Sequence, residues 1–538
     1  MLEKIIRFSL KFKLIVILFT LTIVGFGIYS MVNIPVGSTP DITNNQVQVI
    51  TTSNNLSTQE IEQFITAPVE LEMANLPGVK EIRSVSKFGL SVVTIGFDEG
   101  LGTYLPRQLI AEKIKSASAK IPDGFGEPEM GPITTGLGEI YQYTLDVKPG
   151  YEKRYNAMDL RTIQDWIVKR QLSGIKGVVE VNSWGGYLKQ YEVAINPQRL
   201  QTLNLSIKDV YDAMESNNSI SGGGYIEKNA QSYFIRGDAQ VKTLEDIGNI
   251  VIKNRDGVPV LIKDIGEIHF GYANRFGAIT ANGEGEKVFG QIMMLKKANS
   301  KQVINDVKAR VDEVQKTLPE GVYIKPILDR SELIGKTTAT IFENLLFGCI
   351  IVFLVVLLIL GNMRSALVVS SMIPLALLFT LSMMFIFGID ANLMSLGALD
   401  FGIIIDGAVI IVEFVAVSLL NHKRQLAEVD TENRHLLMDK ITLDGASRMM
   451  HSAIFGQFII LIVFIPILSL QGVEGKMFRP MALAFCFAIL GAMWLCLTWL
   501  PVIISMFLKP KAPSKKNLSR FVLKLATLTY LPVIKGLC

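Results

Sequence analysis

Apolar runs cluster at the two ends of the chain, and the long stretch between them alternates. From Leu14 to Val32 an apolar run sits behind Lys4, Arg7, Lys11 and Lys13. A bilayer core of about 30 Å needs about 20 helical residues, so this run is long enough to span it. It resembles a secretory signal, but no small-residue cleavage site follows, and it reads as an uncleaved transmembrane helix. No further candidate appears until Leu345. Five more then follow closely: Leu345 to Leu360, Ala366 to Phe387, Leu393 to Leu420, His451 to Leu470, and Met481 to Leu508. Six spans are predicted.

The connections between these runs test the count. Arg364, then His422, Lys423, Arg424, Arg434, Lys440 and Arg448, then Lys509, Lys511, Lys515 and Lys516 fall in alternate connections, on the side of the N-terminus. That is the cytoplasmic side by the positive-inside rule. The opposite connections, Gly388 to Asn392 and Gln471 to Arg479, are acidic or nearly balanced. The large insert between the first two spans is therefore predicted outside the cytoplasm. Buried helices of a soluble protein would give the charges no reason to alternate.

Within the insert, strands such as Val47 to Thr51 and Ser91 to Phe97 flank helices such as Ser57 to Asn75 and Leu105 to Ala119. Ser57 and Glu60 have capping-box spacing. The order strand, helix, strand, strand, helix is that of a split βαβ unit. A weak internal repeat suggests two such units, since Leu76-Pro-Gly-Val-Lys-Glu-Ile82 compares with Ile175-Lys-Gly-Val-Val-Glu-Val181. The second is interrupted by residues 200–264 before Val288 to Leu295 and the helix Lys301 to Thr317 resume the pattern, so that insertion is expected to form a separate lobe. Gly222-Gly223-Gly224 lacks the Lys-Ser/Thr of a phosphate cradle and is read as a tight hairpin. Met293 and Met294 point to opposite faces of a strand and are read as core.

Composition narrows the function more than it defines it. The 538 residues are 49% hydrophobic and 19% charged, a mixture of membranous and soluble parts. A net charge of +4 offers no basic stripe for nucleic acid. Cys349, Cys486 and Cys496 lie in apolar runs and Cys538 is the last residue, while His269, His422, His435 and His451 are scattered. No disulfide framework, preformed metal site or cofactor motif follows, and no metal-binding residue can be named.

The fourth span holds the chemistry. It carries Asp400, Asp406 and Glu413 in one apolar helix. Each Asp near the bilayer centre costs about 2.5 to 3.5 kcal/mol, so retaining them calls for proton relay, an ion pathway or gating. Asp406 and Glu413, seven apart, share a face about 10 Å apart along the axis, with Asp400 on an adjoining flank. Only a carboxyl that gains and loses its proton near ambient pH can load on one side and unload on the other. Gly397, Gly402 and Gly407 would let a neighbouring helix approach. The alternative, pairing with a cation of another span, is weakened because the other five runs carry no basic residue in their interiors.

These residues resemble the resistance-nodulation-division transporters, heavy-metal efflux branch. The resemblance runs from Met1 to about Pro513, most specifically through Asp400 to Glu413, Glu474 to Met481, Asp329 to Ile334, Val181 to Gly186 and Gly222 to Glu227. It implies an α+β membrane protein with six transmembrane helices and a porter region of ferredoxin-like split βαβ subdomains with an inserted docking lobe. The expected boundaries are 1–32 for the first helix, 33–134 for the first porter subdomain, 135–199 and 265–339 for the second, 200–264 for the lobe, 340–508 for the remaining helices and 509–538 for a cytoplasmic tail.

It further implies a proton antiporter rather than an enzyme, a homotrimer in the bacterial inner membrane with its large domain in the periplasm, working with a periplasmic adaptor and an outer-membrane channel. Asp400, Asp406 and Glu413 fall on the family's relay positions. Ile404 and Ile411 stand where copper and silver members carry methionines, which resembles the branch for divalent zinc, cobalt, cadmium or nickel. Phe414 departs from the family's usual Asn. Members are also about twice this length, so the chain is expected to be a fragment, a truncated product, or half of a pump completed by another polypeptide. An inactive remnant and an exporter of organic molecules are the competing readings.

Overall fold

The computed structural model describes residues 2–509, apart from Ser38, Asn54, Asn55, Asp256, Phe276, Lys297, Ala398, Asp400 and Asp430, together with Thr527. The chain forms two compact units. One comprises Met1–Ile140, Met294–Asp306 and the chain from Asp329 onward, and the other Tyr141–Met293 with Val307–Leu328.

In the first unit, the strand Gln46–Thr52 buries Val47, Val49 and Thr51 in turn, as a half-buried strand should. It pairs antiparallel with Leu90–Phe97 on one side and Pro128–Met130 on the other, with Val79–Lys87 beyond. Two helical stretches cover one face. Thr58–Ile61, Glu62–Thr66 and Ala67–Met73 run together, with the middle segment wound as a π-turn, and Tyr104–Ser118 lies beside them. Ser57 caps the first through a complete capping box with Glu60. Ile61, Ile65, Val69, Met73, Val93, Ile95 and Ile110 close the core beneath.

The same unit holds the apolar helices. Lys13–Asn33, Met363–Ile386, Met394–Asn421, Asn433–Leu468 and Gly472–Leu497 are each long and apolar enough to cross a membrane. The expected second span is the apolar end of one helix, Arg330–Leu360, whose apolar section Leu346–Leu360 is shorter than the others. The expected fifth span starts mid-helix, because Thr431–Leu468 continues through polar residues that one helical face can carry. The expected last span is two helices, Gly472–Leu497 and Trp499–Phe507. Ahead of the first span lies a separate helix, Leu2–Lys11, where the sequence suggested only a charged flank.

In the second unit the sheet runs Val322–Asp329, Glu139–Val147, Val288–Met294, Val178–Trp184. Its helical cover, Ala157–Ile163, Gln164–Val168 and Lys169–Leu172, again has a π-wound middle segment. Lys189–Ile195 pairs with Gly266–Tyr272 and leads into the insertion, which has its own small cores around Leu200, Val210 and Ile265, and around Ile247 and Ile262. The glycine run Gly222 to Gly224 lies within the strand Ile220–Lys228, not at a turn. The turn of that hairpin is Asn229-Ala230, both at positive φ, and the glycines sit at a register shift opposite Gln231–Asp238. A Cβ on Gly223 would meet the Ile235 carbonyl at 2.8 Å. Met294 is buried and Met293 half-buried on alternate faces of their strand.

Tyr143 is the largest fully buried side chain of this unit, and its hydroxyl pairs with the buried Gln164 amide. Burial pushes that hydroxyl's proton affinity upward. Gly290, one strand away, has no room for a Cβ against the Tyr143 ring. Gly290→Ala is expected to destabilise the unit by about 1–3 kcal/mol through overpacking. Faster amide exchange across Glu139–Val147 would register it, whereas unchanged exchange would show that the ring yields.

Candidate functional site

The helix Phe401–Asn421 begins from a well-anchored loop. Pro35 to Gly37, leaving the first span, forms a parallel bridge with Ala391: Gly37 N–H donates to the Ala391 carbonyl and Ala391 N–H to the Pro35 carbonyl, each at 2.9 Å. Asn392 follows, almost fully buried. Its side-chain oxygen accepts from Ser395 N–H at 2.8 Å, while its own N–H donates to the Ser395 hydroxyl at 3.0 Å. This reciprocal cap starts the helical segment Leu393–Gly397, which leads into the carboxylate-bearing helix.

Along Phe401–Asn421 the burial is strictly sided. Ile404, Ile405, Gly407, Ala408, Ile411, Val412, Val415 and Leu419 are buried among neighbouring helices. Gly402, Asp406, Ile410, Glu413 and Val417 form an exposed stripe. Asp406 and Glu413 therefore share one face, as their spacing requires, and neither has a hydrogen bond or ion pair to a described residue. Asp400 lies outside the described residues. Among the described residues nothing covers the surface opposite the packed side.

Of the glycines expected to admit a neighbour, Gly407 does so. A Cβ there would lie 3.1 Å from Gln457 Nε2, 3.5 Å from Ala453 Cβ and 3.7 Å from Cys496 Sγ. Gly402 is on the exposed stripe instead. Gly445 likewise makes room for Val415 and Phe414, so the departure at 414 falls on the side turned toward Thr431–Leu468. Ile404 and Ile411 are 1% and 0% exposed, on the packed side and away from the carboxylate stripe.

Two residues of this region escaped sequence reasoning. Gln457 is 3% exposed in the middle of a spanning helix, and its Nε2 has no partner among the described residues. A single amide inside the apolar run from His451 to Leu470 was the available signal. Lys476, at the start of Gly472–Leu497, donates to Glu99 Oε1 and to the Thr43 carbonyl, both at 2.6 Å. Glu99 also accepts from Asn45 N–H at 3.0 Å, so the lysine fastens the helix to the loop that leads into the strand Gln46–Thr52. A cavity of about 1060 Å³ opens beside this tie, walled by Asp41, Glu81, Arg83, Asp390, Lys476 and Arg479. Its charges are largely spent on each other, through Arg83 to Glu81 at 2.7 Å and Lys80 to Asp98 at 3.4 Å. Lys80 contributes to holding Asp98 below its ordinary carboxylate range, after the larger effect of the Gly100 N–H. No three His, Cys, Asp or Glu among the described residues group as metal ligands would.

An apolar helix bundle with acids on one spanning helix, in a chain that also folds mixed α/β layers, fits a membrane transporter of the resistance-nodulation-division type. Residues 5–537 match the AcrB/AcrD/AcrF family, and the chain belongs to that family. Protein HelA of Legionella pneumophila is 44% identical over 96% of this chain and 49% of its own length. The cobalt-zinc-cadmium resistance protein CzcA of Cupriavidus metallidurans is 43% identical over 96% and 48%, and the cation efflux system protein CusA of Escherichia coli K12 is 33% identical over 97% and 50%. A crystal structure of a heavy metal efflux pump superposes with a TM-score of 0.81 at 33% identity, covering 92% of this chain and 48% of that one. The chain thus spans about half the length of the relatives it matches.

Gln457 offers a direct check on the packing of the site. Gln457→Leu removes a buried donor without a partner and keeps the volume, and is expected to raise stability by about 1 kcal/mol. A raised thermal midpoint in detergent is the expected reading; a lowered one would mean that the amide finds a partner in the folded protein.

Proposed function

We propose that the chain is one half of a proton-driven pump that exports heavy-metal cations. The observation that carries this reading is the stripe of Asp406 and Glu413 on an otherwise apolar spanning helix. Two carboxyls about 10 Å apart on one face can pass a proton stepwise, and Asp400, on a relay position by the family resemblance, is the third member of the relay. Each acid is costly in hydrocarbon, so the stripe requires cover by further helices that bring cationic or polar partners. That the curated relatives are about twice as long supports the same conclusion.

The cargo is a divalent cation of the zinc, cobalt, cadmium or nickel type. Isoleucine at 404 and 411 removes the thioethers that a soft monovalent ion prefers. The cobalt-zinc-cadmium resistance protein is also more similar to this chain than the CusA protein is. The six-span arrangement, with the α/β units in the periplasm and the basic connections in the cytoplasm, follows from the charge pattern.

The assembly is a homotrimer that works with a periplasmic adaptor and an outer-membrane channel. The hairpin Ile220–Lys228 and Gln231–Asp238 supports this, because its strands turn Ile220, Tyr225, Ile226, Tyr233, Phe234 and Ile235 outward, with Phe234 84% exposed. A two-stranded ribbon of this composition is marginal alone and stable when a neighbouring copy covers it.

Asp406→Asn in the assembled pump is expected to abolish proton-coupled export of zinc from vesicles while trimers persist on native gels. Undiminished export would remove Asp406 from the relay. Uptake of radioactive zinc against an organic dye in the same vesicles separates a cation pump from an exporter of organic molecules, and dye transport without zinc would refute the cargo.

A further inference from the structure

The helix Leu2–Lys11 sorts its side chains into three sectors at about 100° per residue. Ile6, Ser9 and Leu10 form the first and are buried; Ile6 and Leu10 belong to the same core as the spanning helices, and Ser9 Oγ lies 3.5 Å from the Leu497 carbonyl. Ile5, Phe8 and Phe12 form the second and are exposed, with the Phe8 and Phe12 rings 4.9 Å apart. Lys4, Arg7 and Lys11 form the third, also exposed. Arg7 is held by Glu3 at 2.6 Å, and Lys11 lies over the Phe12 ring at 5.5 Å.

A helix that only packed on the bundle would need one apolar face. This one has two, and the outward one would lose about 1.5–3 kcal/mol for each large side chain left in water. What covers it is indicated by what it joins. Phe12 leads directly into Lys13–Asn33, where Leu14, Ile15, Leu18, Phe19 and Leu21 are exposed in the same way on a helix apolar enough to span a bilayer. The exposed aromatic sector thus runs on into an exposed apolar helix, and the cationic sector borders it on the side away from the core. Lys13 is not part of that cationic sector, since Asp439 binds it at 2.6 Å and so pins the elbow between the two helices.

We infer that Leu2–Lys11 is an interfacial helix: Ile5, Phe8 and Phe12 sit in the acyl boundary, and Lys4 and Lys11, on either side of the Arg7–Glu3 pair, hold anionic phospholipid headgroups. The arrangement is that of an amphipathic surface helix whose cations reach past the apolar boundary to the headgroups. Because its buried sector, Ile6, Ser9 and Leu10, packs on the spanning helices, the seat is built rather than transient. The inference does not depend on what the protein transports.

Two measurements test it on the full chain in nanodiscs. Nitroxides placed singly at positions 4, 5, 7, 8, 11 and 12, with the native cysteines changed to serine, are expected to show oxygen exceeding nickel-complex accessibility at 5, 8 and 12, and the reverse at 4, 7 and 11. Nickel access throughout, or exclusion of both probes by a protein cover at 5, 8 and 12, would overturn the proposal. Native mass spectrometry of the unlabelled chain from mixed phosphatidylcholine and phosphatidylglycerol discs needs no cysteine changes. Retained phosphatidylglycerol is expected to be enriched, and Lys4→Gln and Lys11→Gln to cut that enrichment about fivefold each, the factor for one lysine near an anionic surface. Enrichment indifferent to both substitutions would refute the headgroup seat.

Discussion

The constraint around which the membrane half is organised is the cost of ionisable groups in hydrocarbon. Asp406 and Glu413 lie on a helix built otherwise almost entirely of Ile, Val, Ala, Leu, Phe and Gly. The bundle meets that cost by separation: one side packs, with Gly407 drawing Thr431–Leu468 and Gly472–Leu497 close, and the acids are kept on the other beside the exposed Ile410 and Val417. The close-packed side fixes the rotation of the helix, so the acids cannot turn inward to find one another or a backbone group. Neither acid finds a partner among the described residues.

Much of this was legible from residue spacing. Apolar runs located the membrane helices, and the seven-residue separation placed Asp406 and Glu413 on one stripe before any coordinates. Alternation located the strands, and Ser57 with Glu60 marked the helix start, because capping is a local interaction whose partners are three residues apart. Boundaries failed where polar residues occupy one side of a helix that continues regardless, as at Thr431 to His451, and where four cations hid the helix Leu2–Lys11. Gln457 and Lys476 were not legible as partners, since their neighbours, Gly407 and Glu99, are remote in sequence.

The internal repeat is deeper in structure than in sequence. In both units a helix winds through a π-turn, Glu62–Thr66 in one and Gln164–Val168 in the other, before a glycine at positive φ, Gly78 or Gly177, admits the next strand. Only a few residues around those glycines match by eye. A π-turn inserts one residue into the helical register, and in each copy it lets a buried polar side chain, Thr66 or Gln164, face a neighbouring strand: Thr66 meets Ser86 and Ser91, and Gln164 meets Ser183. The repeat preserves a geometric device while its side chains drift.

The bridge between Pro35 to Gly37 and Ala391 has a consequence of its own. It is made from peptide groups alone, so among single substitutions only proline at Gly37 or Ala391 removes one of its donors, in contrast to the Lys476 tie, which any residue without a cationic tip severs. A joint of this kind is nearly indifferent to residue identity and demands that the two backbones keep their path. The segment entering the acid-bearing helix and the one leaving the first span are thereby held together at a point that few substitutions can reach, so the start of that helix keeps its place while the side chains around it vary.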